Sequence, residues 1–298
     1  VAVLRESYLP QDIRNVTMQV IAMNAPELYS QRSMETEISL QIENSTLSQR
    51  EISSNQSNVP FLGVEVRLNS RTNGKRINAE ATIRGDLIET TIAPGPPSEP
   101  VAELTAPERR RYLASSDQVD FKNPAFRRML STNKLHRNPE EGVLQFGHRI
   151  HAFIQENYTN EPHAPQAPSL KPSETLAVRH SDCGGVGLLF VGIMRANGIP
   201  SRTLWGRWAE TQTDPEYGCW HVIPEFYVDG VGWIRALDNS FGKNAGNFIT
   251  FHTDTDLELT GDVRPRWAQS LVWHWKGSGS YPSASEKTHW WTVQIEKP

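Results

Sequence analysis

The chain has 298 residues, enough for two domains that each bury a core, and its 37% hydrophobic and 21% charged residues are the balance of a globular protein. Its 30 basic and 34 acidic residues give a formal charge of −4 and are scattered along the sequence, which argues against nucleic acid as a partner. No run of about 18 apolar residues is present, so no membrane insertion is expected, and two cysteines, Cys183 and Cys219, cannot build a disulfide framework.

The chain opens at Val1 without a methionine, as it would after removal of a leader. That leaves two compartments open, secreted or periplasmic on one side and cytoplasmic on the other. Four glycosylation sequons begin at Asn15, Asn44, Asn55 and Asn157 and read as chance in an Asn/Ser/Thr-rich chain. From Asn15 to Ala93 apolar and polar residues alternate, as in "METEISLQIEN" and "VEVRLNS", which predicts strands and an antiparallel β-sandwich over residues 1–97. Asn73-Gly74 predicts a tight hairpin turn, because both residues tolerate positive φ, and Gly85-Asp86 a second. The tripeptide Arg84-Gly85-Asp86 spells an adhesion motif and reads as a plain turn. The proline-rich stretch "APGPPSEP" from Ala93 to Pro100 makes a stiff linker, so a second domain is placed at residues 98–298.

Beyond the linker the period turns helical. Thr105-Ala106-Pro107-Glu108 has the form of a capping box. Asn138-Pro139-Glu140-Glu141 repeats it and predicts a helix with Val143, Phe146, Ile150, Phe153 and Ile154 on its core stripe, ending near Tyr158. After a proline-laden loop, a short helix is expected over Ser173–Val178. The next, from Cys183 to Ala196, is capped by Ser181 or Asp182. Its glycines at 184, 185, 187 and 192 each cost a helix about 1 kcal/mol relative to alanine, which points to close packing. At a helix start the dipole and unpaired N–H groups favour a thiolate over a thiol of ordinary pKa near about 8.5. The N–H of Cys183 could itself donate to an oxyanion.

Downstream, "CWHVIPEFYVDGVGWIRALD" reads as two strands joined at Asp229-Gly230. His221 opens the first and Asp238 ends the second, so the two become neighbours across the ladder. An imidazole that takes a thiol proton, held in one tautomer by a carboxylate, is what a cysteine nucleophile requires. Pro224 implies an edge strand or a bulge. Cys219 points to the same strand face as His221 and could form a reversible disulfide with Cys183, or be an inert thiol. All nine tryptophans lie from Trp205 onward, with Trp273 and Trp275 sharing one face of a strand. "HTDTDLELTGD" lacks the glycine and terminal glutamate of an EF-hand and reads as an exposed acidic loop.

"DCGGVGLLFVGIMRANGIPSR", "HVIPEFYV" and "GWIRALD" resemble the three motif blocks of the transglutaminase-like superfamily, with similarity spanning about Glu99 to Ser240. The resemblance implies an α+β, papain-like catalytic domain behind the sandwich, with Cys183 as nucleophile, His221 as general base and acid, and Asp238 as its orienting partner. Members of the fold often recruit a second oxyanion donor near Tyr158. Two positions depart from the family pattern, Ser181 in place of a glycine and Ile223 in place of an aromatic residue. The expected activity is acyl transfer through a thioester on a protein or peptide substrate, with no cofactor and no metal. Hydrolysis, as a cysteine protease or amidase, is preferred over transglutaminase crosslinking. Two other readings stand beside it: an inactive scaffold module, and a zinc site made by Cys183, Cys219, His221 and Asp238. The sequence leaves the oligomeric state undetermined.

Overall fold

The computed structural model describes residues 1–54, 59–93, 95, 101–160, 169–209, 220–236, 240–260, 262–279 and 288–296. The first part of the chain forms β1 (Ala2–Tyr8), β2 (Ile13–Met23), β3 (Gln31–Ile42), β4 (Gln49–Ser53), β5 (Phe61–Asn69), β6 (Ile77–Leu87) and β7 (Glu89–Thr91). The second part continues with α1 (Ala106–Tyr112), α2 (Pro124–Thr132), α3 (Val143–Asn157), β8 (Thr159–Asn160), α4 (Pro172–Val178), β9 (His180–Ser181) and α5 (Cys183–Ala196). It then runs through β10 (Ser201–Trp208), β11 (Trp220–Val228), β12 (Gly232–Arg235), β13 (Lys243–Ala245) and β14 (Phe248–Thr253), and closes with β15 (Val272–Gly279) and β16 (Thr288–Val293).

Alternation produces the expected sandwich, but from both ends of the chain. One sheet runs β16-β1-β6-β3 and the other β15-β2-β5-β4, so each takes one strand from beyond residue 270. Inward residues of both sheets, among them Leu4, Met18, Val20, Val66, Ala81 and Trp291, fill the common core. Trp273 and Trp275 stack on each other in β15, and Trp275 meets Tyr8 edge-on; both belong to the sandwich.

Neither predicted turn closes a hairpin. The runs flanking Asn73-Gly74 lie in opposite sheets, joined through a 3-10 turn at Ser70–Thr72. Asn73 ties that crossover to β2, accepting from the Ile13 N–H at 2.8 Å and donating to the Ile13 carbonyl at 3.0 Å. Gly85 and Asp86 are strand residues of β6, with Asp86 opposite Arg32 across a bulge in β3. A side chain at Gly85 would run into the Met34 sulfur, which explains the glycine without a turn.

In the second part, Thr105 and Glu108 form the capping box of α1. The second expected box is a separate turn instead: Glu141 N–H bonds the Asn138 carbonyl at 3.0 Å. Its carboxylate is held by Arg149, and α3 starts only at Val143, after Gly142. Phe146, Ile150 and Ile154 are its buried stripe. Central to this part is α5, buried on nearly every side. Its glycines permit that: Gly187 faces Val222 and Thr203 of the sheet, while a Cβ on Gly192 would sit 2.9 Å from Pro172. At the far end of α5, Arg195 Nη2 donates to both carboxylate oxygens of Asp254, each at 2.7 Å. The segment from His252 to Asp262 is therefore not an exposed acidic loop at its start: Asp254 is buried as the counter-ion of α5's last turn.

The sheet against α5 runs β12-β11-β10-β14. Pro224 thus sits in an interior strand with a regular register to β10, neither edge nor bulge. Its ring faces the end of the β12 ladder. Ala236 donates to the Pro224 carbonyl at 3.0 Å, and the proline has no N–H to donate in return. Buried Glu225 links the two parts. It pairs with Arg202 at 2.9 Å and Arg235 at 3.4 Å and accepts from the Tyr29 hydroxyl of the sandwich at 2.6 Å. The strand pair β7 and β13 and the Gln31 side chain on the Thr250 backbone add further ties.

Candidate active site

Cys183 is the first residue of α5, and Asp182 rather than Ser181 is the cap: its Oδ1 accepts from the Gly185 N–H at 2.8 Å and its Oδ2 from Ser169 Oγ at 2.7 Å. Gly184 and Gly185 are required by this arrangement, since a Cβ on either would overlap the Ser169 or Ser181 hydroxyl. Burial and the neighbouring Asp182 carboxylate push the Cys183 thiol up to about 12. The N–H groups of Val222, Gly184 and Cys183 itself favour the thiolate but are outweighed. The helix start favours the thiolate, as expected, but is outweighed by burial and the adjacent carboxylate. The helix-end donors are present, yet a capping carboxylate and a shielded pocket hold the free thiol neutral.

His221 is the second residue of β11, opposite Gly206 of β10. Its ring stacks on Trp208 with centroids 5.2 Å apart. Its carbonyl accepts from Gln269 Nε2 at 2.7 Å, and the same amide reaches the Gly206 carbonyl at 3.1 Å, so one side chain pins both strands beside the site. Cys183 and His221 line one cavity of about 110 Å³, with Val222, Pro224 and Ala236 on the same side. From α3 come His151, Ile154 and Gln155, followed by Tyr158 and Asn160. Tyr158 donates its hydroxyl proton to the Leu176 carbonyl at 3.3 Å, and burial pushes that hydroxyl up to about 12.

Asp238 and Cys219 lie outside the described residues; the chain is described up to Ala236, on the cavity wall two residues before Asp238. Among the described residues no cluster of three or more His, Cys, Asp or Glu side chains could hold a metal. Sequence reasoning missed His151, Gln155, Asn160, Trp208 and Gln269. A signal existed for the first two: they stand four apart on α3, beside the apolar stripe and on one helix face, where polar residues next to a core stripe mark a wetted wall.

Residues 132–236 match the family model described as Transglutaminase-like superfamily. The matched segment, about a third of the chain, is similar to a transglutaminase-like core. Its limits contain Cys183, His221 and the α3 wall of the cavity, whereas the sandwich lies outside them. A search of curated proteins finds no match. Among solved structures, "a Putative Cysteine Protease from Cytophaga hutchinsonii" has a TM-score of 0.56 at 15% identity, covering 98% of this chain and 97% of its own. The shared fold therefore takes in the sandwich as well as the transglutaminase-like core. "A Putative Protease from Parabacteroides distasonis" has a TM-score of 0.33 at 12% identity, over 79% of this chain and 43% of that one. EGTA-treated LapG of Legionella pneumophila has 0.32 at 14% identity, over 56% and 92%.

Proposed function

We propose that the chain is a thiol acyl-transfer enzyme acting on peptide or glutamine amide bonds, with hydrolysis as its reaction. The observation that carries this reading is one cavity shared by Cys183, on the first turn of α5, and His221, at the start of β11. The thiol needs a proton acceptor because burial raises its pKa, and of the two histidines on the cavity wall His221, at the start of β11, is assigned as that base and His151 is not. The sulfur proton passes to His221 as sulfur attacks the acyl carbon; the oxyanion is stabilised by the Cys183 N–H. The imidazolium returns its proton to the departing amine, leaving a thioester. Water then gives a proton to His221 and its oxygen to the acyl carbon; the carbon–sulfur bond breaks, the acid departs, and the imidazolium returns the proton to the sulfur. Asp238 is assigned the orienting role, and Tyr158 the second oxyanion donor once its proton leaves the Leu176 carbonyl.

A primary amine in place of water would make the same site a transglutaminase. A specific observation favours a non-catalytic reading as well, the raised thiol pKa, which suits an inert scaffold. One experiment separates the three. The protein is incubated with a glutamine-rich casein, with and without a fluorescent primary amine, and the products are read by mass spectrometry. Chain cleavage or conversion of glutamine to glutamate, lost in Cys183→Ser, supports hydrolysis. Amine incorporation would replace it by transamidation, and unchanged substrate in every arm would leave the scaffold reading.

A further inference from the structure

The outer face of the sheet β16-β1-β6-β3 carries a second concavity of about 260 Å³, walled at one end by Trp290. Alternation turns Trp291 into the core, at 1% exposure, and leaves its neighbour Trp290 at 39% on the outside. The register sets Trp290, Arg5, Glu80 and Ser39 side by side across all four strands, with Gln41 opposite Asn78 in the next row. At about 4.8 Å per strand such a row is about 14 Å long. More than a third of the Trp290 surface is left open to solvent among polar residues, which leaves part of its indole accessible to a ligand.

The chemistry of the lining selects the ligand. Arg5 and Glu80 pair with each other at 2.6 Å, and Glu6 at the floor is turned inward to Trp273 and His289. Among the charged residues that line the concavity, Arg5 is balanced by Glu80 and Glu6 is engaged on the inner side, so the lining itself offers little net charge to an ion. Trp290 is the one large apolar side chain in the lining of this concavity, whose other members are mostly polar, unlike the apolar centre of a protein interface. What remains is one flat aromatic face beside planar amide, guanidinium and carboxylate groups that both donate and accept. That combination fits a chain of neutral sugars: weakly positive C–H groups of a pyranose lie on the negative indole face, while its hydroxyls bridge paired planar groups.

We propose that this face binds a neutral oligosaccharide, stacked on Trp290 and hydrogen-bonded by Arg5, Glu80, Asn78 and Gln41. The length of the row calls for several sugar units. The test is native affinity electrophoresis of the full chain through gels containing mixed-linkage β-glucan, galactomannan, dextran or anionic polygalacturonate, with titration calorimetry on an oligosaccharide of the retaining polymer. Expected is retardation by at least one neutral polymer, abolished in Trp290→Ala and weakened at least tenfold in Asn78→Ala, with circular dichroism unchanged in both. The second variant is exposed and keeps the test sound if the first disturbs the edge strand. The proposal is overturned if no neutral polymer retards the protein, if only polygalacturonate does, or if retardation survives both substitutions.

Discussion

Asp182→Asn isolates the effect of the capping carboxylate on the sulfur beside it. The amide can still accept from the Gly185 N–H and can donate to Ser169 Oγ, so the cap survives while the charge goes. With the thiol near about 12, roughly one molecule in a thousand is ionised at pH 9. A unit charge about 6 Å away at an effective dielectric of about 20 is worth roughly 3 kcal/mol, and solvent at a partly buried carboxylate about halves it. The substitution should therefore raise the thiolate fraction about tenfold to a hundredfold. A less basic thiolate is also a weaker nucleophile, with a Brønsted slope of about 0.5, so the net gain in rate is about three- to tenfold. The assay is iodoacetamide labelling of the Cys183 peptide at pH 9, followed by mass spectrometry in a His221→Ala background that removes the imidazole. An unchanged or slower rate, with near-ultraviolet circular dichroism intact, would refute the role given to Asp182.

Glu225→Gln removes the buried anion that pairs with both Arg202 and Arg235 and should cost about 3–5 kcal/mol in urea unfolding, as for other broken buried pairs. A loss under about 1 kcal/mol would show that the two arginines find other counter-charges. Gly147→Ala gains about 1 kcal/mol of helix propensity but sets a Cβ 2.7 and 2.8 Å from two carbons of the buried Phe226 ring. Overpacking of about 1–3 kcal/mol should win, giving a lower melting temperature and weaker substrate binding as α3 is pushed off β11. His252 is held neutral by burial, its pKa lowered to about 4. The unfolded chain takes up a proton first, so stability is full above about pH 6.5 and falls towards pH 4 by up to about 3 kcal/mol. His252→Phe should flatten that slope in unfolding measured across the range.

Elements set by neighbouring residues were legible in advance. The limits of α5, the Thr105 capping box and the hairpin turning at Asp229-Gly230 follow from local propensity and turn chemistry. What escaped depends on partners distant in sequence. Nothing in "VWHWKGSG" says that it pairs with β2, more than 240 residues away by sequence number. Gly85 looks like a turn until Met34 is set beside it. Asp254 looks solvated until Arg195 arrives from the end of α5. The sulfur was placed correctly at the helix start, but its ionisation is governed by enclosure, which spacing along a chain does not reveal.

Because β1 and β2 wait for partners carried near the other terminus, their edges stay bare while the intervening chain is made. At about 5–20 residues per second, roughly 200 residues occupy about 10–40 s on the ribosome. During that interval two apolar-backed strands are open to mispairing, and a nascent chain cut short would never close them. Both sheets therefore close late: the sandwich is complete only once β15 and β16 have been made.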